Sequence, residues 1–260
     1  MSRPAFYRQL DEARFEPLVP ATGSWNRKHQ NGVAVSGLLA HALEATGARS
    51  PMATTRLTID IMRPVPFQPI ETRVRVIRDG ARMQLIDAEI LAEGAVVARA
   101  SAMRIRTEAT PPAADLNLNL PMPEDLPAKP VTSVLDTGHP METRLARGSI
   151  RELGPGGFWT TFNADLVEGL PIPGLARAAM AADVASAPSS IVERGKWSFA
   201  NVDLSLYLTR APIGDWVLCD AVTLSDGAGI GLVNTILTDR TGVFGRAHQT
   251  LFLAPIEAAA

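Results

Sequence analysis

The chain contains two copies of one β-rich pattern, and this repetition limits its fold more than any other feature. The segment TTRLTIDIMRPVPFQPIETRVRVIRDGARMQLIDAEILAEGAVVARASAMRIR is matched by FANVDLSLYLTRAPIGDWVLCDAVTLSDGAGIGLVNTILTDRTGVFGRAHQTLFL at an offset of about 147 residues. Arg63 falls on Arg210, Asp79-Gly80 on Asp226-Gly227, and Arg99-Ala100 on Arg246-Ala247. Self-similarity at a fixed spacing across so much of a chain signals a duplicated structural unit. Within each copy Leu57, Ile59 and Ile61, or Val202, Leu204, Leu206 and Leu208, alternate with polar neighbours. Successive side chains of a strand face opposite ways, so each run offers one apolar face to a core. Asp-Gly after such a run predicts a hairpin turn, and Gly94 and Gly242 mark the next reversal. Each copy therefore predicts a meander of about four strands.

A helical stretch precedes each meander. SGLLAHALEAT, residues Ser36–Thr46, ends before Gly47, and GLARAAMAADVASA, residues Gly174–Ala187, ends before Pro188. The second is alanine-rich and apolar around most of its circumference, the pattern of a helix surrounded by protein. One helix gripped by one antiparallel sheet, made twice, gives an α+β fold. The proline-dense stretch between the copies reads as a linker, because proline removes backbone donors and fixes φ. The expected organisation is an N-terminal unit over residues 1–107, a linker over 108–148 and a C-terminal unit over 149–260.

Charge and composition narrow the partners. The net charge is −2 and Lys and Arg are scattered, so no basic stripe exists to neutralise a nucleic-acid backbone. No run approaches the ~20 apolar residues needed to span a bilayer. The amino-terminal segment is charged throughout and has no apolar signal core. A cytoplasmic location is expected. Cys219, the single cysteine, lies in an apolar run and reads as a buried inert thiol.

Asp183 stands out from its surroundings. It is the only acid in the alanine-rich helix and lies near that helix's carboxyl end, where the dipole disfavours a negative charge. Burial in a wrapped helix raises a carboxyl pKa and makes the group a better base. The competing reading is a structural Asp bonded to a backbone amide in the turn before Trp197. The string GAGIGL at Gly227–Leu232 imitates a dinucleotide loop but leads into a strand instead of a helix. His29, His41, His139 and His248 lack metal-ligand spacing, and no GxSxG nucleophile motif occurs.

The order and spacing of several segments resemble the TesB-like acyl-CoA thioesterases. These are HQNGVAVSGLLAHALEA, IMRPVP and VIRDGARMQLIDAEI in the first copy, and LARAAMAADVAS with the Asn201–Leu253 run in the second. The resemblance implies a double hotdog, two fused units each with a central helix wrapped by an antiparallel sheet. It also implies hydrolysis of an acyl thioester by a water held between three residues. The family's Asp falls on Asp183, its strand-opening hydroxyl on Asn201 and its Gln on Gln249. Asn201 departs from the family by offering a carboxamide. Gln249 takes its place only with a one-residue gap after Gly242; otherwise Thr250 does, facing the other way. A buried Gln needs partners, and a water held by Asp183 would be one. His248 would then face away.

Asn31 and Gly32 precede the first helix, where unpaired amides could bind substrate and stabilise an oxyanion, although Gly32-Val33 replaces the family's usual paired glycine. Structural turn residues are the alternative for that pair. The nucleophile would be water, so no metal or organic cofactor is expected. The implied partner is an acyl-CoA or acyl-carrier substrate, and analogy with edge-joined hotdogs suggests a homodimer. Two other functions fit the same fold: a non-catalytic acyl-CoA or lipid-binding protein, and a hotdog enoyl-thioester hydratase. The hydratases usually pair their carboxylate with a nearby His, and none follows Asp183 at such a spacing.

Overall fold

A computed structural model describes residues 3–111, 119–127, 140–149 and 151–256. The first copy comprises β1 (Ala5–Gln9), β2 (Arg14–Pro17), α1 (Gly32–Glu44), β3 (Met52–Ile61), β4 (Ile70–Asp79), β5 (Met83–Ala92) and β6 (Ala95–Arg106). The second comprises β7 (Met141–Arg147), β8 (Gly156–Phe162), β9 (Asp165–Val167), α2 (Gly174–Asp183), β10 (Trp197–Asn201), β11 (Asp203–Leu208), β12 (Val217–Leu224), β13 (Ile230–Asp239) and β14 (Gly242–Pro255). Among the described residues the strands form one sheet in the order β7-β8-β12-β13-β14-β11-β3-β6-β5-β4-β2-β1-β9, with β10 also pairing β14. Each copy wraps one helix, which is the double-hotdog architecture.

The repeat is visible in the register. Thr58 pairs with Ser101 in the first copy and Ser205 with His248 in the second, the same offset as in the sequence. Each copy is a three-strand meander, β4-β5-β6 or β12-β13-β14, and the strand before it, β3 or β11, pairs with the last strand of the meander instead of the first. That pairing leaves β3 and β11 as edges, and the two edges pair with each other through Leu57↔Leu206 and Ile59↔Leu204. All four side chains are buried, so the seam is part of the core. A second crossing comes from β9, which pairs in parallel with β1 of the first copy.

The turns depart from expectation in one respect. Asp79-Gly80 and Asp226-Gly227 do stand at strand reversals, but the loops at 80–82 and 225–229 are longer than two residues. The two-residue turn with both central residues at positive φ is Glu93-Gly94, at φ 51° and 77°. The helices are displaced from their expected limits as well. Asn31 caps α1 by accepting from the Ala34 amide at 2.8 Å, which starts the helix at Gly32. The second helix ends at Asp183, followed by turns in which the Ala185 and Ala187 amides bond the Ala182 and Val184 carbonyls. The alanines at 176, 178, 179, 181 and 182 are wholly buried, as a helix enclosed by protein requires.

Part of the proline-rich region is structured. Met141–Arg147 forms edge strand β7 against β8, and Pro121 accepts a hydrogen bond from the Trp159 indole at 2.9 Å. No helix among the described residues is long and apolar enough to cross a membrane. His139 lies outside the described residues.

Candidate active site

The two helices pack antiparallel, so the end of α2 meets the start of α1, Gly37 lies against Met180, and the Leu175 amide at the start of α2 donates to Glu44 at the end of α1. Asp183, the last residue of α2, lies against Gly32, the first residue of α1. A Cβ placed on Gly32 would stand 2.5 Å from Asp183 Oδ1 and 2.7 Å from Oδ2, well inside any tolerable contact. Glycine at 32 is therefore what lets the carboxylate approach the open amino end of α1. An acid there complements the dipole of α1, although it opposes that of its own helix.

Asp183 is 7% exposed. Desolvation raises its pKa to about 6, against a smaller lowering by the Asn201 amide. Asn201, at the end of β10, donates through Nδ2 to the Asp183 carboxylate at 3.0 Å and to its main-chain carbonyl at 2.8 Å. Gln249 on β14 is fully buried and donates through Nε2 to the same carbonyl at 2.9 Å. The expected trio is thus brought together, with Asn201 touching the carboxylate and Gln249 holding the carbonyl behind it. The amide oxygens of both Asn201 and Gln249 are buried without a hydrogen-bond partner among the described residues.

The register that brings Gln249 inward has a visible cause. Leu237 pairs with Gly245 and Thr238 with Val243, so Phe244 is an extra residue, a bulge just after Gly242. His248 faces the other way and meets Asn234 Oδ1 at 3.0 Å. Asn31 occupies a supporting position: beyond capping α1, its Nδ2 donates to the Pro20 and Thr22 carbonyls at 2.9 and 3.0 Å.

Asp183, Asn201, Asn31 and Gly32 line one cavity of about 560 Å³. Its walls are largely apolar and include Val33, Val35, Ile61, Val65, Val184 and Phe199. Trp25 packs edge to face on Phe199 with centroids 5.1 Å apart. Trp25 and Phe199 were not singled out by sequence reasoning, because an aromatic in a loop and one in a strand carry no local sign of their meeting. Cys219 is buried and contacts the Ala181 carbonyl; burial pushes its thiol pKa far up, which leaves it inert. No cluster of three His, Cys, Asp or Glu groups fit to hold a metal occurs among the described residues.

Comparison with known proteins places the chain in a family. Residues 21–105 match the acyl-CoA thioesterase N-terminal domain and residues 113–253 the acyl-CoA thioesterase C-terminal domain. No curated protein matches the chain in sequence. Among solved structures, a hot dog fold protein of Alicyclobacillus acidocaldarius is similar with a TM-score of 0.74 at 17% identity, covering 95% of this chain and 96% of that one. A tesB protein of Mycobacterium avium subs paratuberculosis gives 0.69 at 17% identity, and an acyl-CoA thioesterase II, TesB2, from Mycobacterium marinum gives 0.67 at 17%; each covers 96% of both chains. At such identities these likenesses speak for the fold alone, whereas the matched domains cover both copies of the repeat. The chain belongs to the acyl-CoA thioesterase family, with a double-hotdog fold.

Proposed function

We propose that the protein hydrolyses an acyl thioester by attack of a water that Asp183 orients and deprotonates. The observation that carries this reading is a nearly buried carboxylate, its pKa raised to about 6, in the wall of a largely apolar cavity. A base with a pKa near the working pH is both available and strong enough to take a proton from water. The carboxylate accepts one hydrogen of that water, and Asn201 fixes the carboxylate by donating to it through Nδ2 at 3.0 Å.

Water oxygen adds to the thioester carbonyl carbon while Asp183 takes its proton. The oxyanion is held by the amides at the start of α1, which have no partners within the helix. Collapse breaks the C–S bond, and the proton on Asp183 goes to the departing thiolate. The products are a carboxylic acid and a thiol, so atoms balance with water as the only co-reactant. Gln249 acts as a positioning residue by holding the main chain of Asp183.

The test is Asp183→Ala assayed for thiol release from short, medium, long and aromatic acyl-CoAs. Turnover is expected to be abolished with the fold retained by circular dichroism. Unchanged turnover in the variant would overturn the assignment of Asp183. A wild-type protein that binds acyl-CoA without releasing thiol would favour the binding reading, to which the carboxamide at Asn201 lends some support.

A further inference from the structure

The duplication supplies an internal control for every side chain near the cavity, and Arg63 is the one whose use differs most between copies. Its counterpart Arg210 is committed to structure. The Arg210 guanidinium pairs with both oxygens of Asp239, whose side chain is wholly buried, and donates to Thr241 Oγ1 at 2.8 Å. It also lies over the Phe244 ring, 5.6 Å from the centroid. This clamp ties the end of β11 to the β13–β14 turn.

None of those side chains is present at the matching positions of the first copy. At the same offset Asp239 becomes Ala92, Thr241 becomes Gly94 and Phe244 becomes Val97. The backbone frame is nevertheless kept: the Met62 amide bonds the Val97 carbonyl at 3.0 Å, as the Thr209 amide bonds that of Phe244 at 2.9 Å. Arg63 is consequently exposed, has no hydrogen bond or ion pair from its guanidinium among the described residues, and lines the cavity that holds Asp183. Two further exposed cations without side-chain partners among the described residues, Arg27 and Lys28, lie in the loop between Asn26 and His29, both of which form the wall. Among the described residues the only carboxylate lining the cavity is that of Asp183.

We infer that Arg63, free of the clamp that holds Arg210, anchors the phosphate end of the acyl carrier at the cavity mouth, with Arg27 and Lys28 beside it. Three unpartnered cations suit a polyanion, such as the 3′-phosphorylated ADP of coenzyme A, better than a single carboxylate on an acyl chain. The inference rests on the thioesterase reading for its choice of ligand and adds a recognition site to it. Binding is divided accordingly: apolar walls for the acyl group, Asp183 for the reacting carbonyl, and a basic rim for the carrier.

The experiment compares wild type with Arg63→Ala on an acyl-CoA and on the N-acetylcysteamine thioester of the same acid, which lacks phosphates. The variant should raise KM for the acyl-CoA about tenfold, the scale of one charge-assisted contact, with kcat little changed. KM for the N-acetylcysteamine thioester should not move. Adenosine 3′,5′-bisphosphate should inhibit the wild type competitively and the variant about tenfold less well. An equal loss on both thioesters, or no loss on either, would overturn the inference. Equilibrium binding of coenzyme A to the two proteins decides the phosphate contact without turnover: equal affinities sink it. Failure of the wild type to hydrolyse either thioester would instead strike the hydrolase reading.

Discussion

Asp183→Asn should make the protein more stable above pH 6 while removing its activity. The carboxyl pKa is raised from 3.8 to about 6 by desolvation, so between those values the folded state holds a proton that the unfolded state has released. Wild-type stability therefore falls as pH rises through this window, and the whole deficit is present above pH 6. A rise of that size corresponds to about 3 kcal/mol, at about 1.4 kcal/mol for each tenfold change in proton affinity. Asparagine carries no charge at any pH, and its amide oxygen can still accept from Asn201 Nδ2, so the variant escapes most of this cost. Urea unfolding of both proteins at pH 4, 6 and 8 measures the difference. It should be close to nil at pH 4 and grow to a large part of about 3 kcal/mol at pH 8, since other titrating groups cancel between the proteins. In parallel, wild-type kcat/KM should rise with pH along an acid limb centred near 6. A stability difference that does not vary with pH, or a variant less stable at pH 8, would refute the argument that burial of the charge is what sets this carboxyl.

Gly32→Ala tests the contact from the other helix. The new methyl would stand 2.5 Å from Asp183 Oδ1 and must push the carboxylate back by about 1 Å, a displacement on the scale that costs catalysis about a hundredfold. Alanine is the better helix former by about 1 kcal/mol, so kcat/KM should drop with Tm changed by only a few degrees; undiminished turnover would refute the role of the close approach. Cys219 should resist a thiol reagent in the native protein and react on unfolding, because burial and the nearby Asp220 charge both keep it protonated. Rapid labelling of the folded chain would contradict its placement.

What the sequence made legible was what repeats or alternates locally. The period of two in Leu57–Ile61 and the offset shared by Arg63 and Arg210 are enough to expect a duplicated helix-and-sheet unit. The strand order within a copy was less accessible. Hairpin signals join neighbours in sequence, whereas β3 and β11 reach past their neighbours to pair with β6 and β14. The inward direction of Gln249 depended on one residue, and the bulge at Phe244 that supplies it leaves no mark in composition. Asp183 could be suspected as a lone acid in an alanine helix. Its meeting with Gly32 could not, since the two lie in different copies and only the packing of α1 on α2 joins them. Helix limits failed for a related reason: Asn31 begins α1 through a cap whose remaining bonds come from the preceding loop, not from the helix.

The β3–β11 seam and the reach of β9 onto β1 have a consequence for how the molecule comes apart. Pulling either copy away strips the other of a partner strand and lays bare apolar side chains from both. The duplicated halves should therefore melt together in a single transition, as co-dependent parts of one cooperative body. A lesion far from the cavity in one half would be felt as lost folding in its twin.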